Sequence, residues 1–175
     1  MNRDDGRSRS DRPDRERVAK LRADERAYGG HTFQRHVDIG PAGTRERALR
    51  ILAAHDGAGC HRAGDATRWT SEHALARAVG GVERSPEYRK RLASAEDAIR
   101  RGEPPQTVRP VVRVRLADVL GPAWRSGVAG HRADATRVQP TRFGAGAQVV
   151  AVYRARPGGG WVLHTCYPVP RAGNP

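Results

Sequence analysis

A length of 175 residues fits one domain with or without a tail, and an apolar share of 37% is lean but enough for one modest core. The formal net charge of +13 points to a polyanionic partner, nucleic acid before an anionic membrane. No window approaches the ~18 apolar residues of a transmembrane span, and the two cysteines, Cys60 and Cys166, lack any CxxC metal spacing.

Of the 32 basic residues only Lys20 and Lys90 are lysine. Arginine's planar fork suits phosphate, although the Arg, Ala and Gly skew is also what a GC-rich coding bias produces. The two cysteines are expected to be free thiols, with one disulfide as the alternative.

Residues 1–27 alternate nine basic with seven acidic residues and hold few apolar ones, so they read as a charged leader. Met1–Asp14 should be disordered, and Glu16–Ala27 could form a weak polar helix held by local charge pairs. Nothing there resembles the apolar stretch of a signal peptide. Synthesis in the cytoplasm is expected, with export left to a carrier or a leaderless secretion system.

The folded part is expected over residues 28–170, followed by a flexible end at 171–175. A first helix should start at Thr44, a good N-cap, and run to Ala54, with Ala48, Ile51 and Leu52 inward and Arg50 pointing away. A second should run from Thr70 or Ser71 to Gly80-Gly81. A third should start at Ser85-Pro86 and end at Gly102. Period-two alternation from Val108 to Leu116 then predicts a half-buried strand. Residues 121–146 read as loop with at most one short strand. Gln148–Arg154 and Trp161–Tyr167 flank the turn Pro157-Gly158-Gly159-Gly160, which predicts an antiparallel hairpin. Helices first and strands later argue for an α+β fold, with helices followed by an antiparallel sheet.

The histidines are the natural seat of proton chemistry near neutral pH. His31 and His36 are five apart, which separates them on a strand or a regular helix. In the last strand, alternation puts Thr165 and Tyr167 on one face and His164 and Cys166 on the other. Two adjacent hydroxyls can bind a phosphate. Taken singly, each of these residues is better explained as structural or surface. No HExxH and no ordered Cys/His set appears, so no metal or other cofactor is expected.

In combination, GGHTFQRHV at 29–37, Arg50-Ile51 on a helix, ATRWT at 66–70 and WVLHTCYP at 161–168 resemble the bacterial RNase A-like toxin domains found at the tips of contact-dependent inhibition toxins. The resemblance spans about residues 28–169. It implies a pancreatic-ribonuclease-like fold without its disulfides, RNA as substrate, a cognate acidic immunity protein as partner, and a monomer when free. Carried over by position, it implies His36, Arg50, Thr165 and Tyr167 as the catalytic set. Arg47 is the alternative to Arg50, and His31 is implied to be structural. His36 would act as base toward the ribose 2′-hydroxyl, and Arg50 would stabilise the phosphorane. Thr165 and Tyr167 would bind phosphate, with Tyr167 as an alternative proton donor. The identity of the general acid is open. The rivals are a non-catalytic, Arg-rich nucleic-acid-binding protein and, more distantly, an ADP-ribosyltransferase.

Overall fold

The structure is a computed structural model and describes residues 12–56, 64–134 and 137–171. It is mixed α+β, with most helices early and antiparallel sheets later. In chain order the elements are α1 (Arg12–Tyr28), α2 (Thr32–His36), α3 (Pro41–Asp56), β1 (Gly64–Trp69), α4 (Glu72–Arg84), α5 (Pro86–Arg100), β2 (Val111–Arg115) and α6 (Leu116–Leu120). A 3-10 turn over Trp124–Gly127 leads into β3 (Val128–Ala133), β4 (Val138–Pro140), β5 (Gln148–Ala155) and β6 (Trp161–Val169). Among the described residues no helix is long and apolar enough to cross a membrane.

The segment expected to be a leader is instead part of the domain from Arg12 onward. Leu21 of α1 is buried in the main core and Val18 packs against it. Two apolar residues are too few to show as a periodicity, so charge does the rest. Arg22 stacks over Phe33 at 4.2 Å from the ring centroid, pairs with Asp38 at 2.8 Å and also holds Glu72. Arg17 pairs with Glu83. Most of these pairs reach other elements, whereas the sequence reading allowed only for pairs along the helix. Residues 1–11 lie outside the described residues, as do Cys60 and residues 172–175.

Helix α4 supplies the centre of the core, with Leu75, Val79 and Val82 fully buried. Ser71 caps it by accepting from Ala74 N at 3.1 Å. It runs past Gly80-Gly81, the predicted stop, because these glycines serve packing. A Cβ on Gly81 would lie 2.5 Å from Val119 of α6. Ser85 then closes α4 and opens α5, donating to Val82 O at 2.7 Å and accepting from Tyr88 N at 3.1 Å. Helix α3 starts three residues before the predicted cap, so Thr44 lies inside it and donates back to Pro41 O.

The strands form two antiparallel sheets of three, ordered β1-β3-β4 and β2-β5-β6. The predicted hairpin is β5–β6, and the predicted strand after Pro104-Pro105 is β2. Strand β1 was not expected. Its side chains join the two sheets, because Trp69 Nε1 donates to Cys166 O at 3.0 Å and Thr67 Oγ1 donates to Pro168 O. Cys166 is a free thiol at the centre of this core, and burial holds it protonated.

Candidate active site

The two most distinctive sequence segments bind each other. Gly29, at φ +67°, takes the left-handed conformation that ends α1. Gly30 follows where a Cβ would press within 3.0 Å of His164 O. That close approach lets His31 N donate to His164 O at 3.1 Å, while Cys166 N donates to Thr32 Oγ1 at 3.0 Å. Glu25 of α1 accepts from Phe33 N at 2.9 Å and so fixes the start of α2. The segment 29–36 is thereby held against β6.

Beside this junction lies a cleft of about 580 Å³. His36 and His31 line it from the α2 region, Arg47 from α3, Asp65 and Thr67 from β1, and Thr165 and Tyr167 from β6. His36 is only 6% exposed, and its ring stacks on Tyr167 at 5.1 Å between centroids and 22° between planes. Its Nδ1 lies 3.1 Å from Thr67 O. A carbonyl can only accept, so Nδ1 carries the proton and Nε2 keeps the lone pair. Burial lowers the His36 pKa to about 4, with Arg47, His31 and Arg35 adding repulsion and the Thr67 carbonyl opposing them. The ring is therefore neutral at neutral pH, in the tautomer that can take a proton at Nε2.

Arg47 is half-buried and donates to Arg35 O at 2.8 Å. Burial, then the Arg35 charge, lowers its pKa without threatening its protonation. Thr165 is 6% exposed, and its Oγ1 is sealed with no partner in the protein. A buried hydroxyl left unpaired costs about 1–3 kcal/mol, and this one lies in the wall of the cleft that Arg47 also lines.

Arg50, expected in this set, is elsewhere. Its side chain is 73% exposed and pairs with Glu46 at 2.7 Å. The inward stripe of α3 is Thr44, Ala48 and Ile51. At about 100° per residue Arg47 lies roughly 70° from the centre of that stripe and Arg50 roughly 130°. The helix face thus selects Arg47.

His164 also departs from expectation. Between Val152 and Tyr153 the β5–β6 register jumps, Val152 facing Thr165 and Tyr153 facing Leu163. His164 is the extra residue of a bulge, so strict alternation fails there. Its ring packs edge-on to His31 at 4.9 Å, and its Nδ1 is sealed and unpaired. Burial and the charges of Arg154, Arg109 and Arg35 lower its pKa. The His31 pKa is lowered by burial, Arg35 and His164, with Glu25 opposing. His31 therefore shares the cleft with His36. The five-residue spacing misled because His31 precedes the short α2 in a non-helical conformation, at φ −149°.

No protein-family model, curated protein or solved structure matches the chain.

Proposed function

We propose that the cleft cuts RNA by 2′-hydroxyl transphosphorylation, with no metal in the chemical step. The observation that carries this reading is the protonation state of His36: neutral, with its lone pair on Nε2, beside a half-buried arginine and an unpaired hydroxyl. Such a set suits a reaction that removes one proton and builds negative charge on a phosphoryl group.

In this scheme His36 Nε2 takes the proton of a ribose 2′-hydroxyl, and that oxygen attacks the adjacent phosphorus. Arg47 holds the equatorial oxygens as charge builds, and Thr165 Oγ1 joins it once the bound phosphate displaces the groups that seal it. The bond to the 5′-oxygen breaks, and the leaving oxygen takes a proton. His31 is the donor we favour, since a bound phosphodiester would favour the charged ring that burial, Arg35 and His164 disfavour. Tyr167 orients His36 by stacking and adds a hydroxyl to the phosphate site. The products are a 2′,3′-cyclic phosphate and a 5′-hydroxyl.

The same reading takes the helices-then-sheets architecture as a disulfide-free, pancreatic-ribonuclease-like fold, and the protein as a toxin restrained by an acidic immunity protein. Complementary potentials would speed that partner to the cationic cleft. The second reading is a nucleic-acid-binding protein without turnover, favoured by the abundance of exposed arginine; it requires nothing of His36.

The test is an RNA oligonucleotide carrying 2′-O-methyl at a single cleaved position. Loss of cleavage at that bond alone supports the scheme. Cleavage that continues there rules out attack by the 2′-oxygen.

A further inference from the structure

The cleft does not end at Tyr167. A second groove of about 330 Å³ shares Asp65, Pro170 and Arg171 with it and carries Arg132, Arg137 and Arg142. Strand β4 contributes part of the lining, and it is the outer strand of its sheet. Asp65 is the lone carboxylate lining either space. It is already engaged, accepting from Arg132 and from Thr141 Oγ1, each at 3.4 Å. Arg137, Arg142 and Arg171 are exposed, and the one carboxylate bonded to any of them among the described residues, Asp134, is held by the Arg137 backbone N at 3.1 Å.

We infer that this groove is a subsite for the backbone of single-stranded nucleic acid, holding phosphates next to the one seated in the cleft. Four arginines against one committed carboxylate make a surface that an anion must complete. Guanidinium forks match phosphate oxygens bidentately. Gln139 and Thr141 add neutral hydrogen-bonding groups, as sugar and base edges require. Continuity with the cleft favours one strand passing through both spaces over a separate acidic protein. The assignment rests on the ribonuclease reading only for which phosphate occupies the cleft.

The experiment uses labelled oligothymidylates of two and eight nucleotides, which lack the 2′-hydroxyl and are not turned over. Binding to wild type and to an Arg137→Gln/Arg142→Gln variant is measured from 50 to 200 mM salt. Each lost phosphate contact lowers the slope of log affinity against log salt by about 0.7. The variant should therefore show a slope about 1.4 smaller for the octamer, and across that salt range it should lose about 7-fold less affinity than wild type. Dimer binding should not change. An unchanged octamer slope overturns the subsite, as does polyglutamate displacing the octamer at equal charge concentration. If RNA is never cleaved but the octamer slope falls as stated, the subsite stands and the ribonuclease reading falls.

Discussion

Acidification should weaken the fold through His36. In the folded protein burial holds this histidine at about 4, against about 6.5 in an unfolded chain. Between those values the unfolded state takes up a proton that the folded state refuses. Stability is therefore full above about pH 6.5, falls as the pH drops toward 4 and levels off below it. The span of about 2.5 units, at about 1.4 kcal/mol each, amounts to roughly 3 kcal/mol. That is a large part of the 5–15 kcal/mol available to a typical domain. His31 and His164 shift in the same direction, so their contributions add to it. Urea unfolding of wild type and His36→Asn at pH 7 and pH 4 isolates the effect, because the Asn amide nitrogen stands where Nδ1 does and can still donate to Thr67 O, but it does not titrate. The loss of stability on acidification should shrink by roughly 3 kcal/mol in the variant. Parallel losses in the two proteins, or an NMR titration of His36 at 6.5 or above, would refute the account of its burial. The same shift predicts that kcat/KM persists on the acid side until about pH 4, where the base becomes protonated.

The remaining expectations concern single side chains. Arg47→Lys should abolish most RNA cleavage, because a point charge cannot replace the fork, while Arg50→Ala should leave activity intact and change stability by less than about 0.5 kcal/mol; steady-state kinetics and melting curves read both. Thr165→Val removes a buried hydroxyl that has no protein partner, so thermal stability should hold or rise while turnover falls. Leu21→Ala should cost about 2–5 kcal/mol in urea unfolding, and removal of residues 1–27 should cost more, since α1 completes the core.

The parts of the fold that strong local signals mark were legible in the sequence. Ser85-Pro86 marks the start of α5, and the glycine turn at 157–160 marks the β5–β6 hairpin. What failed depended on partners distant in the chain. Gly81 looks like a helix stop until Val119 is seen against it. Helix α1 shows almost no apolar stripe, because its hold comes from arginines that reach Asp38, Glu72 and Glu83. In the site, His36, Thr165 and Tyr167 do share one cleft. The inward face of α3 was legible, with Ala48 and Ile51 inside and Arg50 pointing away; Arg50 was carried over from the resemblance by position, and it is the alternative, Arg47, that lines the cleft. The place of His31 on the cleft wall was hidden by a glycine turn and a strand bulge, neither of which a fixed periodicity describes.

The central claim is tested most directly by incubating purified protein with RNA in excess EDTA and analysing the ends of the products. Wild type should yield 2′,3′-cyclic phosphate and 5′-hydroxyl termini, and His36→Ala should cut about 10²–10⁴-fold more slowly while remaining folded. Intact RNA with wild type, activity that returns only with a divalent ion, or a folded His36→Ala protein as active as wild type would contradict it.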